Sequence, residues 1–214
     1  MLYKVQSGDT GLVSLGFFND ITGAVDVSIL SQSSTKITLF NSSTNVTTEV
    51  NGFGLTLDQG GSPTSGTVTS LVMTSGGAPV GEISNLSWGL VTFDNALEGL
   101  ENDDYAPLAA LLNLQPITFD LRDATADMDF ESVFWPVVSL ITQPVTVYGS
   151  PHYDNLVGGA GSDTIFFAGN PEGTFVHDYY FATPGDDTLN FTGVSNGTSV
   201  SVDYEPFLLM ARLT

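Results

Sequence analysis

Residues 149–166 read Gly149-Ser150-Pro151-His152-Tyr153-Asp154-Asn155-Leu156-Val157, then Gly158-Gly159-Ala160-Gly161-Ser162-Asp163-Thr164-Ile165-Phe166. These are two nine-residue units in register. The second fits the pattern Gly-Gly-x-Gly-x-Asp-x-U-x, with U a large apolar residue, at every defined position. Glycine at such sites is expected to free the backbone for tight, left-handed turns that a Cβ would penalise. In a turn of that kind, backbone carbonyls and one carboxylate can converge on a hard cation, which prefers oxygen ligands. The apolar residue that follows (Leu156, Ile165) is placed to point inward as a short strand begins.

A partial third unit closes the series in Thr183-Pro184-Gly185-Asp186-Asp187-Thr188-Leu189-Asn190. It keeps Gly185, Asp187 and Leu189 at the fourth, sixth and eighth positions. Asp154 and Asp163 are nine residues apart, whereas Asp163 and Asp187 are 24 apart, which is not a multiple of nine. The third unit is therefore not expected to follow by simple continuation. Residues 167–181 must bulge out or form a hairpin, and the third loop is expected beside the first, with Asp154 and Asp187 on one side.

Upstream, residues 10–92 alternate β-branched or apolar residues with small polar ones. Segments 36–40, 54–57, 67–73 and 89–93 read as strands. Turns are expected at Asn51-Gly52, at Gly60-Gly61-Ser62-Pro63 and at Gly76-Gly77-Ala78-Pro79. This spacing predicts an antiparallel, sandwich-like body. Residues 94–131 hold Asp94, Glu98, Glu101, Asp103, Asp104, Asp120, Asp123, Asp127, Asp129 and Glu131, ten of the 24 acidic residues. Asn102-Asp103-Asp104 reads as the cap of a short helix over 105–113, stopped by Pro116. A second short helix is expected around 129–135, ended by Pro136, and strand signals resume at 137–141 and 145–148. The fold class expected is mainly β: an antiparallel, sandwich-like body with a short helix over 1–143, a short parallel roll over 144–192, and a tail over 193–214.

The chain has 214 residues, enough to bury a sizeable core, and 42% are hydrophobic, which argues against disorder. Four basic residues stand against 24 acidic ones, and the net charge of −20 argues strongly against nucleic acid and anionic membrane surfaces as partners. Without cysteine, disulfides and thiolate metal sites are excluded. No apolar run is long enough to span a membrane, and the first residues lack the apolar core of a cleavable signal peptide. Five Asn-x-Ser/Thr triplets, at Asn41, Asn45, Asn85, Asn190 and Asn196, read as chance in a chain this rich in Asn, Ser and Thr.

Residues 149–190 resemble the RTX, or haemolysin-type calcium-binding, proteins of bacteria, most specifically over 158–166. Residues 52–70 also look like a β-rich module that precedes such repeats. In that family, six-residue loops alternate with three-residue strands, and loops two repeats apart on one side share an ion. The resemblance makes Asp154, Asp163 and Asp187 side-chain ligands for Ca2+. Carbonyls near Gly149, Gly158 and Gly159 would complete the shell, Gly161 and Gly185 belong to the same loops, and Asp186 is a spare carboxylate. Ser150, His152 and Pro184 depart from the repeat. The resemblance also implies bacterial export in one step by type I secretion, with an uncleaved C-terminal signal and no N-terminal signal peptide. The final location would be extracellular or at the cell surface.

Two functional classes stay open. One is a non-enzymatic calcium-binding protein that assembles with itself or adheres to cell-surface polysaccharide. The other is a polysaccharide-active enzyme, a lyase or epimerase, with the repeats as an appendage. The acids between Asp120 and Glu131 invite a paired-carboxylate site or a second calcium site, but match no defined motif and read as a solvated acidic face. His152 and His177 read as loop or surface residues. Trp88, Trp135, Tyr179 and Tyr180 could stack on sugar rings, with core packing the default.

Overall fold

In this computed structural model the described residues are 1–6, 18, 21, 26–129, 136–152, 154–156, 158–167, 177–178, 186–194, 200–205 and 208–213, with backbone alone at 129, 155, 177–178, 200–205 and 208–213. The chain is mainly β, built on one large mixed sheet with few helices. Strands β2 (Val27–Gln32), β3 (Lys36–Asn41), β4 (Val46–Leu57), β5 (Pro63–Ser75) and β6 (Ala78–Ser84) form an antiparallel meander. Local chemistry sets each turn. Asn41 Oδ1 accepts the Ser43 N–H at 3.0 Å after β3, and Asp58 Oδ1 accepts those of Gly60 and Ser62 at 2.8 and 2.9 Å after β4. Gly76 and Gly77, at φ +56° and +84°, close β5 to β6 with the two-residue geometry that suits twisted strands. Asn51-Gly52, expected as a turn, instead lies inside β4 at a shift in the register with β5. A Cβ on Gly52 would collide with the Thr67 carbonyl, so glycine there serves close strand approach.

The seam of the sheet is β1 (Leu2–Val5). It pairs antiparallel with β6 on one side and parallel with β8 (Ile117–Asp120) on the other, and the Met1 ammonium donates to the Pro116 carbonyl at 2.8 Å. Beyond β8 the sheet continues in parallel through β10 (Val145–Tyr148), β12 (Thr164–Phe166) and β14 (Thr188–Asn190). The intervening strands β9 (Met128–Asp129), β11 (Asp154–Leu156) and β13 (His177–Asp178) form a second parallel stack. From β8 to β14 the described strands alternate between the two stacks.

The parallel pairing therefore begins at Ile117, well before residue 144. The third unit also continues it. Thr146, Thr164 and Thr188 lie side by side, although the first interval is 18 residues and the second 24. Register is set by the strands, and extra residues are absorbed between them. A hairpin of β15 (Val200–Glu205) and β16 (Leu208–Leu213) forms a separate sheet from the tail.

Side chains alternate across a strand, so one residue per strand can build a row over the whole sheet. Such a row runs Ile37, Val50, Leu71, Ile83, Tyr3, Phe119, Val147, Ile165, Leu189. All are buried except Leu189, which is partly so. Tyr3 and Phe119 meet at the seam with ring centroids 5.4 Å apart.

Helices, rather than a second antiparallel sheet, line the core face of the meander. After β7 (Trp88–Gly89) the chain enters α1 (Leu90–Glu101), so residues 89–93 are not the strand their composition suggests. Leu90, Phe93, Ala96 and Leu100 fall on one buried face at helical spacing, and Trp88 packs on Phe93 at 5.5 Å. Leu90, Phe93 and Leu97 face Ile37, Leu39 and Val50 across a cavity of about 140 Å³. The helix α2 (Ala106–Leu112) lies where expected, with Asp104 Oδ1 accepting the Ala106 N–H at 3.2 Å. Residues 136–138 are helical rather than extended, and they bury Val137 and Val138. Of the helix expected around 129–135, residue 129 ends β9 and the remainder lies outside the described residues.

Candidate metal site

The loop ending at Asp163 and the one ending at Asp187 stand on the same side of the parallel stack, each leading into a strand of the large sheet. The register makes Val145, Asp163 and Asp187 equivalent positions on successive strands. Asp163 Oδ2 accepts the Gly159 N–H of its own loop at 2.5 Å, and Oδ1 accepts the Val145 N–H of the strand before at 2.8 Å. Asp187 Oδ1 repeats the second contact, accepting the Asp163 N–H at 2.6 Å. Each carboxylate thus ties its own loop to the rung beneath.

Asp154 sits at the opposite edge, where the chain crosses from β10 to β11, so the expected pairing of Asp154 with Asp187 gives way to Asp163 with Asp187. Asp154 is closed locally: Oδ2 accepts the Ser150 N–H and Oδ1 the Ser150 hydroxyl, both at 2.6 Å. Ser150 Oγ also accepts the His152 N–H at 3.0 Å. The departure from glycine at 150 therefore supplies a hydrogen-bonding bracket that glycine lacks.

The repeat glycines are needed for closeness rather than for left-handed backbone: none of Gly149, Gly159 and Gly161 has φ in the left-handed region. A Cβ on Gly159 would lie 2.6 Å from the Ile141 carbonyl oxygen. One on Gly161 would lie 2.7 and 2.8 Å from those of Gln143 and Thr142, and one on Gly158 would strike the Asp163 carboxylate. Asn113, which no motif marks, holds that supporting segment. Its Oδ1 accepts the Thr142 N–H at 2.7 Å and its Nδ2 donates to the Leu140 carbonyl at 2.8 Å. Gly161→Ala is accordingly expected to cost about 1–3 kcal/mol, because backbone oxygens on two sides cannot withdraw like a flexible side chain. Urea denaturation checks it, and an unchanged midpoint would mean that the loop can lift away from 142–143.

Asp154 and Asp163 are each only 2% exposed. Burial pushes both carboxyls up to about 6, against the hydrogen bonds from Ser150, Val145 and Gly159 that favour the charged form. Burial also raises Asp187, whose Oδ2 is buried with no hydrogen-bond partner among the described residues. Asp186 is exposed, its N–H donating to Ser162 Oγ at 3.1 Å, and Gly185 lies outside the described residues. Among the described residues no three His, Cys, Asp or Glu side chains converge as a metal cluster. A cation on this edge would have to combine the Asp163–Asp187 pair with loop carbonyls. The Asp187 Oδ2 atom fits that role, whereas the oxygens of Asp154 and Asp163 already accept hydrogen bonds and offer only remaining lone pairs.

The acidic stretch is partly neutralised. Arg122 grips Asp120 through Nε and Nη2 at 2.8 and 2.7 Å, and Lys4 meets Asp123 at 2.7 Å. Trp88 is buried beside α1, in the core, while Trp135, Tyr179 and Tyr180 lie outside the described residues, as does the His177 side chain. No helix among the described residues is long and apolar enough to cross a membrane. Comparison with protein-family models, with curated proteins and with solved structures finds no match.

Proposed function

We propose that the protein is a secreted, calcium-binding structural or adhesive component of a bacterial surface or extracellular matrix, and that Ca2+ triggers its folding or assembly. In this reading β10 to β14 are a short calcium-binding parallel roll joined to a β-rich body, and residues 193–214 carry the export signal. The observation that carries it is the Asp163–Asp187 pair. A buried carboxylate, Asp163, and a half-buried one, Asp187, stand on successive rungs, and among the described residues no donor is aimed at Asp187 Oδ2. Asp163, Asp187 and the carbonyls near Gly158, Gly159, Gly161 and Gly185 would hold one ion, with Asp186 at its exposed rim. Asp154 and the carbonyl of Gly149 offer a second, weaker position on the other edge.

A bound ion supplies positive charge where burial now disfavours carboxylates. Since it binds only the folded loops, its binding energy becomes folding energy. Self-repulsion in a chain of net charge −20 falls by the same event.

Electron microscopy with and without Ca2+, run beside an assay on a uronate polymer, tests the reading. Ordered polymers or lattices that form only with Ca2+ are expected. Monodisperse particles together with turnover of the polymer would replace it with a polysaccharide lyase or epimerase carrying the roll as an appendage.

A further inference from the structure

A second concavity lies on the outward side of the parallel strands, bordering the Asp154 loop only at Gly149. It encloses about 340 Å³ and is lined by Arg122, Tyr148, Gly149, Phe166, Phe167, Thr192 and Gly193. Tyr148 and Phe166 are neighbours in register on β10 and β12, and their rings stack with centroids 4.7 Å apart and planes 13° from parallel. The Arg122 guanidinium lies over the Tyr148 ring, 4.6 Å from its centroid. Its Nε and Nη2 are held by Asp120, so one edge and one face of the group are fixed. Among the described residues, neither Arg122 Nη1 nor Tyr148 Oη has a hydrogen-bond partner. Thr192 Oγ1 donates to Asn190 Oδ1 at 2.7 Å and keeps its own lone pairs.

The lining is therefore mostly ring and glycine, with a few polar groups whose hydrogen-bonding capacity is unspent, as ligand sites commonly are. We infer that this cleft binds a neutral saccharide unit. A hexose offers C–H groups to the apolar wall, an oxygen acceptor to Arg122 Nη1, and hydroxyls that both give and take at Tyr148 Oη and Thr192 Oγ1. The charge balance selects neutral over acidic sugars. Asp120 cancels Arg122, Asp123 cancels Lys4, and the remaining field of a −20 chain repels a uronate. Arg122 arrives preorganised, so little side-chain entropy is lost on binding.

The inference names a partner class for an adhesive protein but does not rest on calcium: none of Asp154, Asp163 and Asp187 lines the cleft, and Gly149, which does, belongs only to the weaker position at Asp154. Saturation-transfer NMR on the full chain tests it with glucose, galactose, mannose and N-acetylglucosamine, beside glucuronate, at fixed Ca2+. Transfer to at least one neutral sugar and none to glucuronate is expected. Tyr148→Phe removes one hydroxyl and keeps the stack, and Arg122→Ala removes the exposed donor. Each is expected to weaken binding by roughly tenfold, with the melting temperature held in Tyr148→Phe and slightly lowered in Arg122→Ala, which loses the Asp120 pair, while Lys36→Ala on the far strand β3 leaves binding unchanged. Failure of all four neutral sugars, preference for glucuronate, or binding indifferent to both cleft variants overturns the inference. Loss of calcium binding with sugar binding intact would instead remove only the reading of the aspartate loops.

Discussion

With calcium chelated, the melting temperature is expected to rise by several degrees as the pH is lowered from 7 to 5. Asp154 and Asp163 titrate at about 6 in the folded chain against an ordinary 3.8. Between those values the folded state holds more protons than the unfolded one, so stability falls as pH rises through the window. Above 6 both buried carboxylates are charged and the destabilisation is complete. Asp120, held low by Arg122, contributes in the opposite sense, but only at and below the ordinary carboxylate range.

Calcium should invert the profile. It binds the charged carboxylates, so its stabilisation is greatest at pH 7 and fades toward pH 5 as protons compete. At a hundredfold excess over Kd the gain is about 2.7 kcal/mol. Asp187→Asn is expected to abolish most of the calcium response and only to flatten the calcium-free profile, since Asp154 and Asp163 remain while the raised Asp187 and its charge beside Asp163 are lost. Differential scanning calorimetry across pH, with chelator and with Ca2+, reads all three. A melting temperature indifferent to both pH and calcium would show that these carboxylates are neither buried nor ligands in solution.

Phe119→Ala is expected to cost about 3–5 kcal/mol, the range for removing a buried aromatic ring. Phe119 stands next to the central Tyr3 in the nine-residue row, where the parallel strands meet β1, and it is fully buried. In a Trp135→Phe background, the loss should lower the urea midpoint seen by Trp88 fluorescence, which reports on the meander and α1, as much as that seen by far-ultraviolet circular dichroism. If the Trp88 transition stayed put while the dichroism shifted, the two halves of the sheet would be melting independently.

The repeat was the most legible part of the sequence. Asp163 and its glycines signalled closely packed loops between short strands, and β10, β12 and β14 lie where the apolar alternation placed them. Spacing in sequence was a poor guide to which aspartates meet. Loops absorb any number of residues while strands keep register, so Asp187 lands on Asp163 despite an interval that fits no repeat. The glycines were recognised for the wrong physical reason, because nothing in sequence reveals that residues 141–143 run beneath the loop.

Elsewhere, Gly89–Phe93 shows how a short apolar run hides a helix. Only the spacing of Leu90, Phe93, Ala96 and Leu100 over three turns separates α1 from another strand. Four-residue β1 carries no turn signal, and its role depends wholly on partners far along the chain. Arg122 belongs to no motif, and neither the strand signal at Tyr148 nor the repeat ending at Phe166 marked a cleft. Their meeting is a product of parallel register between strands separated by variable loops.

The position of β1 has a consequence for biosynthesis. Leu2–Val5 is made long before β8, one of its two neighbours, the Met1–Pro116 contact spanning 115 positions. Until β8 appears, the meander can be complete on its own while β1 keeps a bare flank, and every later parallel strand depends on that flank being available. An early strand thus serves as the template on which the later parallel ones are laid. Folding of the aspartate loops must wait until the strands from β1 to β14 are all present, a long-range dependence that makes for slow folding.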